Sequence, residues 1–158
     1  MEQMVQKLKI NIICMEYPGY GIYQEYDSKS ISGNKTQQRA QQILKDAETV
    51  YRFLRETCEV DESDILVSGR SIGSGPACHL ASLFNPACLM LISPIKSVKD
   101  VARMKYGRIV DLLIEERFNN FEAVTKVQCP SAIFHGVKDT MVPYQHSLEM
   151  LLQGFNNC

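Results

Sequence analysis

Two periodicities of apolar and polar positions alternate along this chain. Lys9–Tyr17 (KINIICMEY) is rich in isoleucine and predicts a buried strand. Pro18-Gly19-Tyr20-Gly21 stops it, because Pro lacks a backbone donor and Gly opens unusual dihedrals. Positions 22–35 are polar and read as a loop. From Thr36 to Thr57 the apolar residues Ala40, Ile43, Leu44, Ala47, Val50, Tyr51 and Leu54 recur in steps of three and four, one stripe of a helix. Gln38, Arg39, Lys45, Glu48 and Arg52 make its opposite face, and Asn34 with Gln37 three residues on reads as its cap. A second strand starts at Ile65-Leu66-Val67, and a helix over Pro76–Phe84 follows. Cys88–Ile92 and Ser131–Phe134 are the third and fourth strands. Residues 96–128 are mixed, with an amphipathic helix around Ile109–Arg117. A last helix over Tyr144–Leu152 opens behind Pro143, which suits a first helical turn. Strands alternating with helices predict an α/β fold: a parallel sheet of about four central strands, right-handed crossovers and helices on both faces.

Composition narrows the class. A length of 158 residues predicts one domain over 1–158 with a real core. Hydrophobic residues at 45% and charged residues at 22% exclude a disordered chain. The formal net charge of -1, with no dense Lys/Arg run, argues against nucleic acid as a partner. The longest apolar run is Ala87–Ile92, far short of the roughly 20 residues of a membrane span. No secretory signal is expected at the N-terminus. The cysteines at 14, 58, 78, 88, 129 and 158 form no C-x-x-C pair, which predicts a reduced, cytoplasmic chain, with Cys158 as an exposed thiol. No repeat, low-complexity tract or linker interrupts the chain.

The chemistry concentrates in DILVSGRSIGSGPA (64–77). Gly69-Arg70-Ser71-Ile72-Gly73 fits G-x-S-x-G, entered by an apolar strand and left by a helix, the context of a nucleophile elbow. In that turn Gly69 and Gly73 keep the flanks small, Ser71 projects as nucleophile, and the Ile72 N–H becomes an oxyanion donor. The bland alternative is a glycine-rich turn with a capping serine. A serine hydroxyl needs a base, usually a histidine oriented by a carboxylate, and where the serine sits on a nucleophile elbow the partners follow in the order acid, then histidine. Asp139, in the loop 134–143 behind the fourth strand, is the natural acid; its bland reading is an N-cap for the Pro143 helix. Asp100 and Asp111 are weaker candidates. Of the three histidines, His79 and His135 precede Asp139. His146 follows it by only seven residues, too soon for a base carried by a loop after a further strand. The base is therefore expected to be missing, as is a second oxyanion donor. No metal or cofactor is expected, because the His and acidic residues show no ligand pairing and the glycines lack the spacing of a nucleotide loop.

EYPGYG (16–21), DILVSGRSIGSGPA (64–77), LISPI (91–95), FNNFEAVTKVQCP (118–130) and FHGVKDTMVPYQHS (134–147) resemble, in order and spacing, blocks of the α/β-hydrolase superfamily. Within it they resemble the serine hydrolases that include single-domain protein depalmitoylases. The resemblance implies Ser71 as nucleophile, Asp139 as acid, and a helix position without catalytic duty for His146. It spans only the middle of that fold, the fourth to seventh strands. No N-terminal cysteine cluster for membrane attachment matches, and residues 96–117, the lid-like region, differ most. Three functions follow as expectations. One is a hydrolase of acyl esters or thioesters, including lipidated proteins, peripheral to membranes at most and inactive as these 158 residues alone. The second is an inactive fragment or pseudoenzyme that binds a partner or self-associates through uncovered sheet edges. The third is acyl binding without turnover.

Overall fold

A computed structural model describes residues 6–23, 35–109 and 115–155. The chain divides into two compact units, residues 1–32 and 33–158. In the first, Lys9 is a turn residue with φ +52°, residues 10–17 form neither helix nor strand, and Ile10, Ile12 and Ile13 are exposed. The expected strand Lys9–Tyr17 is therefore not formed: a parallel strand exists only against a neighbour that takes its hydrogen bonds. The turn behind it is tight. Tyr20 N–H donates to the Tyr17 carbonyl and Gly19 N–H to that of Tyr23. Gly19 and Gly21 supply positive φ of 87° and 51°, and the Glu16 carboxylate accepts from Ile22 N–H.

The second unit carries the sheet. Helix α1 (Lys35–Arg52) runs into a π-helical turn, Phe53–Thr57. It buries Ala40, Ala47 and Tyr51, three residues of the predicted stripe; its expected cap, Asn34, lies outside the described residues. Strand β1 (Leu66–Arg70) follows, then a 3-10 turn at Ser71–Gly73 and helix α2 (Ser74–Leu83). Strand β2 (Cys88–Ile92) leads to helix α3 (Val98–Tyr106) and the short helix α4 (Asn120–Val124). Strand β3 (Ser131–Phe134) precedes helix α5 (Gln145–Glu149), which ends in a π-helical turn at Met150–Gly154. Helices α3 and α4 have local signals in the mixed region: Ser97 accepts from Asp100 N–H, and Asn119 from Glu122 N–H. The helix expected around Ile109–Arg117 falls largely outside the described residues, and positions 115–119 are irregular.

Three strands, rather than four, form the described sheet, in the order β1-β2-β3 and all parallel. The α/β expectation holds in this smaller form. The register pairs Val67 with Leu89 and Leu91 with Ile133, which puts them on one face with Gly69. Helix α2 packs on β1 and β2, and both α1 and α4 pack on α2. The core there joins Tyr51, Val67, Ala77, Cys78, Leu89, Leu91, Val124, Val127 and Met150. The opposite face carries Leu66, Ile92 and Phe134, all exposed, so no second helical layer covers them among the described residues.

Candidate active site

Parallel strands deliver their C-terminal ends to one edge of the sheet, and the candidate residues lie along that edge. Ser71 leaves β1 with φ +51°, in the left-handed region. A side-chain-bearing residue there carries a strain of roughly 1–3 kcal/mol and persists only where its surroundings impose it. Two close approaches do so. A Cβ on Gly69 would collide with the Gly73 carbonyl and the Ala77 methyl, and one on Gly75 would enter the Phe118 ring. Gly69 thus lets α2 fold back over β1. Gly73 itself has ordinary helical dihedrals, and its carbonyl is what crowds Gly69. The Ser71 side chain is half-buried and takes no part in the hydrogen bonds of the described residues. Ile72 is half exposed and sits in the first turn, where backbone donors lack intrahelical acceptors.

A buried polar network backs the elbow. The Ser74 hydroxyl donates to the Ser71 carbonyl at 2.5 Å and accepts from Ile95 N–H at 3.2 Å and from Asn120 Nδ2 at 2.9 Å. Asn120 Nδ2 also donates to the Ile95 carbonyl at 2.9 Å. Ser74 and Asn120 are fully buried. Sequence reasoning missed both. Ser74 reads as one more small residue in a glycine-rich turn, and Asn120 is paired with it across 46 positions.

Asp139 stands behind β3, two strands from Ser71. At about 4.8 Å per strand, the strand ends that deliver them are roughly 10 Å apart. Its Oδ1 accepts from Val142 N–H and Met141 N–H, both at 2.9 Å. Those bonds hold the carboxyl below the ordinary carboxylate range, with smaller help from the Ser93 hydroxyl and His135. Ser93, at the end of β2, also has positive φ, 45°. The bland reading of Asp139 as a turn cap is visible in the same bonds; its Oδ2 faces His135 Nε2 at 3.8 Å.

Each of the three histidines is held elsewhere. His79 Nε2 pairs with Glu48 Oε1 at 2.8 Å. His135 Nε2 donates to the Val142 carbonyl at 2.7 Å, and its Nδ1 meets the Ser147 hydroxyl at 2.5 Å. His146 is buried, its Nδ1 accepts from Lys96 N–H at 2.9 Å, and its Nε2 lies 3.0 Å from Met104 Sδ. Burial lowers the His146 pKa. The structure thus sets Ser71, Ile72 and Asp139 on one sheet edge; His135 pairs with Asp139 at 3.8 Å, but its Nε2 proton goes to the Val142 carbonyl. Among the described residues no group of three His, Cys, Asp or Glu is placed to hold a metal ion, and no helix is long and apolar enough to cross a membrane.

No family model matches the chain. It is 26% identical over 91% of its length to alpha/beta hydrolase domain-containing protein 17B of Homo sapiens, of which that stretch covers 45%. It is 28% identical over 91% of its length to protein 17C of Xenopus tropicalis, covering 42% of it. Against alpha/beta hydrolase domain-containing protein WAV2 of Arabidopsis thaliana it is 27% identical over 90% of its length, covering 48%. The chain is a distant relative within the α/β-hydrolase superfamily. It spans under half the length of these relatives. Among solved structures, a puromycin hydrolase superposes on 73% of this α/β-hydrolase relative with a TM-score of 0.56. That stretch is 19% of the puromycin hydrolase, and at 17% identity the likeness bears on the fold alone.

Proposed function

We propose that this chain is the elbow-and-acid portion of a serine hydrolase acting on acyl esters or thioesters, lipidated proteins among them. The observation that carries this is Ser71, the one residue of its turn in left-handed backbone, at a strand-to-helix junction closed by Gly69. In the proposed reaction Ser71 Oγ attacks the acyl carbonyl carbon. A base takes the hydroxyl proton, and the carbonyl oxygen, now negative, is met by Ile72 N–H. The carbonyl then re-forms, and the alkoxide or thiolate leaves with that proton; water, giving a proton to the same base, attacks the acyl-Ser71 ester, and Ser71 Oγ leaves with the proton as the acid is released. Asp139 orients the base through Oδ2, since Oδ1 is occupied by two backbone donors. The base in this reading is an imidazole from outside this chain, because both ring nitrogens of His135, the histidine beside Asp139, are already bonded to Ser147 and Val142, and His79 and His146 pair with Glu48 and Lys96.

A fluorophosphonate probe tests this. The chain alone should label weakly. Added imidazole should accelerate labelling, and Ser71→Ala should abolish the gain. No acceleration by imidazole in a folded sample would sink the hydrolase reading. The placement of the histidines also favours a second reading, acyl binding without turnover. It predicts that a fatty-acyl ligand binds equally well to the wild type and to Ser71→Ala.

A further inference from the structure

Ser71 and Ile72 share one peptide plane, so whatever holds the Ser71 carbonyl also aims the Ile72 N–H. No peptide here is cis, and in a trans unit the two groups point in opposite directions. The Ser71 carbonyl is gripped twice from the protein side, by the Ser74 hydroxyl and by Ser74 N–H, which it shares with the Ile72 carbonyl. The N–H of Ile72 therefore points away from buried Ser74.

The hydroxyl's own orientation is not free. A serine oxygen has two acceptor sites and one proton. Ile95 N–H and Asn120 Nδ2 take the acceptor sites, which leaves the proton one destination, the Ser71 carbonyl. The Asn120 amide cannot be turned round, because Nδ2 also faces the Ile95 carbonyl, which only accepts. Each contact thus dictates the next, from Ile95 through Asn120 and Ser74 to the elbow peptide.

We infer that Asn120 and Ser74 are positioning residues that pre-aim the Ile72 N–H at the oxygen of a bound acyl group, Asn120 acting wholly through Ser74. This rests on the reading of Ser71 as nucleophile. Neither residue touches the reacting atoms. A donor already aimed needs no reorganisation as charge develops on the oxygen, and losing one such donor outright slows turnover by about 10²–10³. Loosening it through the network should have a smaller effect, about tenfold.

The experiment uses the whole chain, with fluorophosphonate labelling at saturating imidazole and the amide resonance of Ile72 as independent readouts. Ser74→Ala and Asn120→Ala should each slow labelling about tenfold, shift the Ile72 amide and still melt cooperatively. The double variant should be no slower than Ser74→Ala, because the two act in series. Ser74→Cys keeps a donor at the same position but a weaker one; its rate should fall between Ser74→Ala and wild type, and it decides the matter if the alanine variants do not fold. Folded variants that label at the wild-type rate, with the Ile72 amide unmoved, would overturn the inference. If wild type itself fails to label with imidazole, the nucleophile reading falls, and the Ile72 amide alone decides whether the network aims that peptide.

Discussion

Ser71 holds a backbone conformation that its own side chain disfavours, and glycine adopts φ +51° without that strain. Ser71→Gly should therefore raise stability by roughly 1 kcal/mol, net of the added freedom of the unfolded chain, whereas Ser71→Ala should leave it near wild type. Urea denaturation separates the two, and equal midpoints for all three proteins would mean that the turn is unstrained. Asp139 is the second residue whose local bonds have a measurable consequence. The backbone N–H groups of Val142 and Met141 lower its folded pKa below the ordinary 3.8. Its contribution to stability is thus present above about pH 4 and lost as pH falls through the depressed folded value. Asp139→Asn should remove that part of the acid dependence, read as a flatter melting temperature between pH 5 and pH 3.

Among the elements, α3 and α5 hold each other through one histidine. His146 on α5 accepts Lys96 N–H just before α3 and touches Met104 within it, while Lys96 Nζ pairs with Glu149 Oε2 at 2.8 Å. Burial lowers the His146 pKa, and the carboxylates of Asp100 and Glu149 offset this in part. A depressed histidine contributes stability that is full above the ordinary value of 6.5 and lost as pH falls through the folded value. The hydrogen-exchange protection of α3, with the intrinsic rate at each pH divided out, should fall more than that of β2 between pH 7.5 and pH 5. In His146→Gln, which keeps an acceptor and does not titrate, that difference should vanish. An equal loss of protection in α3 and β2 would place the acid sensitivity elsewhere. These contacts fall in a region where the hydropathy pattern was weak. Helix α3 was not anticipated, although its Ser97–Asp100 cap is written in adjacent residues. The stripe of α1, by contrast, was legible residue by residue, because a long amphipathic helix repeats its signal every turn.

For the molecule as a whole, the open face of the sheet matters most. Leu66, Ile92 and Phe134 stand 53%, 36% and 56% exposed on adjacent parallel strands, while all-parallel sheets ordinarily bury both faces. Apolar surface of this kind drives association. The wild-type chain should show concentration-dependent self-association in sedimentation velocity, and Leu66→Lys combined with Phe134→Lys should shift it towards monomer. A wild type that sediments as a monomer at all concentrations would show that the face stays solvated.

Local patterning was sufficient for the helix stripe, three of the four proposed strands and the glycine-flanked serine turn. Each of these is encoded within a few neighbouring residues by period, cap or turn chemistry. The isoleucine run at Lys9–Tyr17 shows the limit of that information. Its pattern is that of a strand, but strand formation depends on a partner, which no segment encodes for itself. The same holds at the site. Ser71 and Asp139 were visible as candidates from their places after strands. The burial of Ser74 against Asn120 and the separate engagements of His79, His135 and His146 arise from contacts between residues 7 to 50 positions apart. Such contacts exist only once the sheet and helices are packed, because packing is what sets distant backbone donors, acceptors and side chains at bonding distance.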